Sequence, residues 1–190
     1  MPEIKTLAVI GAGALGRDIA CATALAGYHT ILEDILPASL RRADREIRDF
    51  MEQSIRSGKI SREQAETALA RLEYAGSVEE AARQADLVIE AVPDEMESKL
   101  EIFTLLDKIA KPHTILATTT KTLTVSEIAS VTYRAQKIIG LRFFDPSSWA
   151  GQLEIVRAGE TDDQTIAVCT QLGRQMADKV GVTEETPTGK

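Results

Sequence analysis

Apolar and polar positions along this chain follow two periods, one of strands and one of helices. Residues 7–10 form a short, partly β-branched apolar run, and a stretch rich in helix formers, 17–26, is stopped by Gly27. A second β-rich run covers 30–32. From Pro37, which suits the first turn of a helix, Leu40, Ala43, Ile47, Phe50, Met51 and Ile55 recur at steps of three and four. That spacing predicts a long amphipathic helix with Arg41, Arg42, Arg45, Glu46, Arg48, Asp49 and Glu52 on its other face. Ser57-Gly58-Lys59 ends it. Ser61 and Gln64 have capping-box spacing and open a second helix carrying Ala65, Ala68, Leu69 and Leu72.

Beyond this helical pair, 73–75 reads as a weak strand, and Ser77 caps a short helix through Gln84. Residues 86–92 predict a buried strand bounded by Pro93. An amphipathic helix follows over 95–109, with Leu100, Phe103, Leu106 and Ile109 inward. A strand over 114–117 leads into a polar segment, 118–122, and a short helix over 125–131. Two more strands, 137–144 and 153–156, precede a closing helix over 162–177 with Ile166, Leu172 and Met176 inward. Residues 184–190 read as a loop. Strands alternating with helices predict an α/β fold, a doubly wound and mostly parallel sheet covered on both faces. The helical pair is an insertion after the second strand. No internal repeat, low-complexity tract or linker divides residues 1–190, so one domain is expected.

Composition narrows the classes. With 22 Lys and Arg against 29 Asp and Glu, the net charge is −7, and no strongly basic patch points to nucleic acid. The longest apolar runs fall far short of a membrane span, and residues 1–5 show no apolar signal segment. Cys21 and Cys169 are far apart, without metal-ligand spacing; Cys21, among Ala20, Ala22 and Ala24, reads as a small core residue. The expectation is a soluble, reduced, cytoplasmic protein with no membrane or nucleic-acid partner and an open oligomeric state.

Between the first strand and first helix stands Gly11-Ala12-Gly13-Ala14-Leu15-Gly16, and the second strand ends in Glu33-Asp34. Strand, glycine turn, helix, strand and acid in this order are the context of the Rossmann dinucleotide site. Gly11 permits the tight turn, Gly13 leaves room for a pyrophosphate at the backbone, and Gly16 lets helix pack on strand. The helix start, with Ala14 and Leu15, offers free N–H groups to phosphate. Asp34, eighteen residues after Gly16, is placed to bind ribose hydroxyls and repel a 2′-phosphate, which favours NAD over NADP. The alternative is a glycine-rich turn of another α/β protein with Asp34 a solvated strand end.

Five blocks in order carry a wider resemblance: 9–16 around the glycine turn; Val88-Ile89-Glu90-Ala91-Val92-Pro93-Asp94 with Lys99 beyond; 115–120; Ile139-Gly140-Leu141-Arg142-Phe143-Phe144-Asp145-Pro146; and Leu153-Glu154-Ile155-Val156. Along its whole length the chain resembles the N-terminal NAD-binding domain of the 3-hydroxyacyl-CoA dehydrogenases. The resemblance implies hydride transfer between a 3-hydroxyacyl-CoA and NAD. It implies cofactor contacts from Ala91, Val92, Asp94, Lys99, Thr119 and Asp145. It also implies that the family's C-terminal helical dimerisation domain is absent from these 190 residues. Lys99 has a second reading, a solvated lysine at helical spacing from Glu95.

The departures from the family pattern fall on its chemistry. Arg142 stands where the family has a catalytic histidine, and arginine keeps its proton at any ordinary pH and cannot serve as the base. Glu154 matches the glutamate that orients that histidine; here a charge-assisted pair with Arg142 is expected. Lys121 stands where the family has a substrate-contacting serine, and reads either as a surface lysine or as a cation beside an acyl-CoA or another small acidic substrate. Arg142, Glu154 and Lys121 are therefore the candidate catalytic-site residues. Trp149 reads as a pocket wall or a hydrophobic plug; His29 and His113 read as surface residues. Two functions follow: a dehydrogenase of this family with weak or lost turnover of the family substrates, or a non-catalytic NAD-binding sensor, regulatory or scaffold module.

Overall fold

A computed structural model of the chain describes residues 3–144 and 151–185. Eight described strands form one sheet: β1 (Thr6–Ile10), β2 (His29–Glu33), β3 (Leu72–Ala75), β4 (Leu87–Glu90), β5 (Ile115–Thr118), β6 (Ile138–Phe144), β7 (Gln152–Arg157) and β8 (Lys179–Glu184). Their order is β3-β2-β1-β4-β5-β6-β7-β8. Every neighbouring pair is parallel except β6 and β7, where Arg142 faces Glu154. The doubly wound expectation holds. The chain's direction across the sheet reverses at β1, which lies between β2 and β4. Open α/β sheets bind ligands in the crevice beyond the carboxyl ends of strands at such a point.

Helices cover both faces. One face carries α1 (Ala14–Leu25), α2 (Pro37–Arg56), α3 (Arg62–Leu69) and α7 (Asp163–Met176); the other carries α4 (Val78–Ala82), α5 (Met96–Ile109) and α6 (Val125–Ala129). The period-3.6 stripe of α2 delivers Ala43, Ile47 and Met51 to the first core, and α5 delivers Phe103 and Leu106 to the second. The predicted caps form. Ser61 Oγ accepts the Gln64 N–H at 3.1 Å while Gln64 Oε1 accepts that of Ser61 at 2.8 Å, and Ser77 Oγ accepts the Glu80 N–H at 3.2 Å. The buried thiols of Cys21 and Cys169 are both pushed up to about 12 by burial, and neither cysteine is in a disulfide. Among the described residues no helix is long and apolar enough to cross a membrane.

Three expectations are corrected. Leu72 does not continue the second inserted helix; α3 stops at Leu69 and Leu72 opens β3, paired with Thr30. On α5 the fully buried side chain of the first turn belongs to Lys99, and Leu100 is half-buried. Glu184 ends a strand rather than opening a loop. β8 was not expected because its outward positions leave Lys179, Gly181, Val182, Thr183 and Glu184 exposed, so its apolar pattern is faint; pairing with β7 makes it a strand.

Candidate functional site

The glycine turn lies at the carboxyl end of β1. Gly11 takes φ +101°, a left-handed conformation that favours glycine, and its N–H donates to the Glu33 carbonyl at 2.9 Å. A Cβ on Gly16 would stand 1.8 Å from the Gly11 carbonyl oxygen, so only glycine lets α1 sit against the turn. A Cβ on Gly13 would meet nothing within 4 Å. Gly13 is the N-cap of α1 and supplies no side-chain cap, and the first turn holds no acid. The N–H groups at this helix start are thus left for an anion. Asp34 follows β2. Its Oδ2 accepts the Ala12 N–H at 3.0 Å and its Oδ1 that of Leu36 at 2.9 Å, which fixes the carboxylate beside the turn rather than leaving it a loose strand end.

A cleft of about 530 Å³ runs along these carboxyl ends. It passes from Asp34, Ser39 and Arg42, over Gly11, Gly13, Ala14 and Leu15, to Ala91–Asp94, Lys99, Thr119 and Lys121. Of the expected cofactor residues, the described ones line it directly, except Gly16, which acts from behind the turn. Asp145 and Trp149 lie outside the described residues. His29 and His113 sit beside Glu73 and Asp86 at the opposite, amino-terminal edge of the sheet. A larger cavity, about 700 Å³, lies between α1, α2, α3 and the end of α7. Its lining includes Arg71 and Asp178, at the amino ends of β3 and β8, and neither the glycine turn nor Asp34.

Below the far half of the cleft lies a buried polar network. Lys99 Nζ donates to Glu90 Oε1 and Oε2 at 2.7 and 2.8 Å and approaches Asp94 Oδ1 at 3.7 Å. Glu90 also accepts the Val92 N–H and the Thr118 hydroxyl, each at 2.8 Å. Lys99 is therefore not a solvated lysine; its ammonium is turned into this network. Asp94 Oδ2 accepts the Thr122 hydroxyl at 2.8 Å and the N–H groups of Lys121 and Thr122 at 3.3 Å. Burial works to raise the Asp94 carboxyl, but hydrogen bonds from Thr120, Thr122 and Lys121 and the Lys99 charge hold it below the ordinary range.

Arg142 and Glu154 face each other across β6 and β7. Arg142 Nη1 lies 3.3 Å from Glu154 Oε2, and its Nε donates to the Thr120 carbonyl at 3.1 Å. Glu154 Oε1 accepts the Thr183 hydroxyl at 3.2 Å. The Lys121 ammonium stands 5.7 Å from the centre of the Phe144 ring.

Sequence reasoning missed Glu90, Thr118 and Glu33. Glu90 stood inside the strand expected over 86–92 and Thr118 at the start of the polar segment 118–122, and strand alternation could have placed Glu90 on the α5 face. Glu33 is 2% exposed, and its Oε1 has no hydrogen-bond partner among the described residues. Burial, reinforced by the charge of Asp34, pushes this carboxyl up to about 7.

A model of the NAD-binding domain of 3-hydroxyacyl-CoA dehydrogenase matches residues 6–186. The chain belongs to the 3-hydroxyacyl-CoA dehydrogenase family. Its cofactor is NAD, and the free α1 start, the Gly11–Gly16 contact and the anchored Asp34 fit that group. Among relatives of this dehydrogenase-family chain, a probable 3-hydroxybutyryl-CoA dehydrogenase of Bacillus subtilis is 34% identical over 174 residues, 92% of this chain and 60% of the relative. The crystal structure of 3-hydroxybutyryl-CoA dehydrogenase from Escherichia coli K12 superposes with a TM-score of 0.93 at 30% identity, covering 98% of this chain and 39% of that one. For (S)-3-hydroxybutyryl-CoA dehydrogenase PaaH1 from Ralstonia eutropha the values are 0.92, 28%, 97% and 65%. The chain thus spans less than two thirds of the length of these relatives.

Proposed function

We propose that this chain is the NAD-binding part of a 3-hydroxyacyl-CoA dehydrogenase-like oxidoreductase in which the family's proton transfer is weakened or lost. Bound NAD supplies a hydride acceptor, and NADH a donor. The residues of this chain hold the dinucleotide by the Gly11–Gly16 turn and the start of α1, with Asp34 selecting an unphosphorylated ribose. Proton transfer to or from a substrate oxygen needs a group that changes charge near working pH. The observation that carries the reading is the place of Arg142, tied to Glu154 and to the Thr120 carbonyl where the family resemblance calls for a histidine. An arginine there supports binding and charge stabilisation but not acid–base exchange. The repeated occurrence of hydroxyacyl-CoA dehydrogenases among the relatives makes an acyl-CoA the reference substrate.

Calorimetric titration with NAD, NADH and NADP, repeated in the presence of acetoacetyl-CoA, tests this. NAD and NADH are expected to bind, NADP more weakly, and acetoacetyl-CoA to be reduced slowly or not at all. Equal binding of NADP would overturn the role of Asp34. Rapid NADH oxidation with acetoacetyl-CoA would overturn the role of Arg142.

A further inference from the structure

The cleft ends at Lys121, and the charges around that end are unevenly spent. Glu90 is bonded to Lys99, Thr118 and the Val92 N–H. Asp94 is bonded to the loop at 120–122 and lies near Lys99. Glu154 is bonded to Arg142 and Thr183. Each of these three carboxylates thus faces an internal partner. The Lys121 ammonium, by contrast, has no carboxylate within ion-pair distance among the described residues, and the residue is exposed at the cleft wall. Its contact is the Phe144 ring, at 5.7 Å, which leaves its N–H donors available.

The backbone that carries this lysine is also held. Asp94 holds the backbone of Lys121 and Thr122 from one side, and Arg142 holds the Thr120 carbonyl from the other. Arg142 further neutralises Glu154, the carboxylate on the neighbouring strand. A pinned loop, a donor cation and no opposing free carboxylate among the described residues make a place where an incoming anion gains charge-assisted hydrogen bonds.

We infer that the Lys121 end of the cleft is a carboxylate subsite, so that the chain takes a small oxo or hydroxy acid bearing a free carboxylate. This rests on the dinucleotide reading above and names the substrate class of the same site. A neutral 3-hydroxyacyl group offers the ammonium only a hydroxyl or carbonyl oxygen, whereas a carboxylate pairs with it as an ion and bonds more strongly. The phosphates of a CoA are the other source of negative charge, and the test separates the two.

Malonate is titrated calorimetrically into the 190-residue chain with and without saturating NADH, beside malonamide as the neutral isostere and CoA as the phosphate-bearing probe. Malonate is expected to bind and malonamide not. Lys121→Met is expected to weaken malonate about tenfold or more, and Lys121→Arg to restore most of it. The thermal midpoint of each variant reports whether its fold is intact. Malonate binding that ignores Lys121→Met overturns the proposal. So does CoA binding that depends on Lys121 while malonate fails to bind. NADH binding without malonate binding sinks the subsite and keeps the dinucleotide reading. Malonate binding without NADH binding keeps the subsite and sinks the dinucleotide reading. Failure of both overturns both.

Discussion

The Lys99 ammonium lies 2.7 and 2.8 Å from the two carboxylate oxygens of Glu90, and both side chains are closed off from solvent. This pair ties the first turn of α5 to the end of β4, directly beneath the cleft. Removing one partner strands a charge in a site with no water to receive it. Lys99→Met is expected to lower stability by about 3–5 kcal/mol in urea denaturation. The double variant Glu90→Gln, Lys99→Met leaves no charge behind; the one amide oxygen keeps the Val92 N–H, now on Oε1, and the Thr118 hydroxyl, now on Oε2, turns to accept from the amide NH2. It is expected to recover much of the loss; equal losses would mean that packing, not charge, holds the corner.

Two glycines of one motif are expected to behave oppositely. In Gly16→Ala the new Cβ meets the Gly11 carbonyl oxygen at 1.8 Å, which is backbone and cannot swing aside. A loss of about 3 kcal/mol or more is expected, with dinucleotide binding abolished. In Gly13→Ala the Cβ meets nothing within 4 Å and φ is −67°, an ordinary value. Thermal stability should change by less than about 1 kcal/mol, because the freedom that the unfolded chain loses opposes the poorer N-cap that alanine makes. NADH affinity should nevertheless fall, because the methyl group occupies the wall that a pyrophosphate approaches. Thermal scans and NADH titration of both variants read out the contrast.

Glu33 links stability to pH. Its carboxyl is pushed up to about 7 from an ordinary 4.5, so the folded state holds the proton more tightly than the unfolded chain. A raised pKa contributes stability that is complete below pH 4.5 and is lost as pH rises through 7. The loss between pH 5 and pH 8 is expected to be about 2.5 kcal/mol. Glu33→Gln should flatten that decline in urea denaturation at the two pH values. Asp86, Asp94 and Asp162 are all lowered from 3.8 and act in the other direction, losing their contribution only on acidification below that value. The two windows do not overlap.

Arg142→His offers a direct trial of the missing proton carrier. The imidazole would face Glu154, which could hold its ring as it now holds the guanidinium. NADH-dependent reduction of acetoacetyl-CoA is expected to rise on the order of 10²-fold over the parent chain. Arg142→Gln, which removes the charge without adding a base, should give no rise. Equal rates in the two variants would place the barrier elsewhere than in proton transfer.

Much of this protein was legible along the chain, because periodicity and caps are local. The apolar run before Gly11, the spacing from Gly16 to Asp34, and the stripe from Leu40 to Ile55 act within one or two turns or strands, so residue order suffices to read them. Where the sequence failed, the deciding partner was remote or the signal was weak. β8 carries a faint apolar pattern and becomes a strand only by pairing Lys179–Glu184 with Gln152–Arg157.

Lys99 shows the division most plainly. On its own helix it reads as a charge for solvent, at helical spacing from Glu95. The fold puts it opposite Glu90, where both ions can be buried only because each supplies what the other lost from water. Arg142 likewise could be read as unfit to be a base, but its grip on the Thr120 carbonyl depends on the adjacency of β5 and β6. Glu33 looked like one of two acids at a strand end, and the sheet assigned Asp34 to the cleft and Glu33 to the interior. Residue order determined the elements and the cofactor turn. The tertiary structure decided which charges meet and which lose their water, because those are properties of chain segments brought together across the sheet.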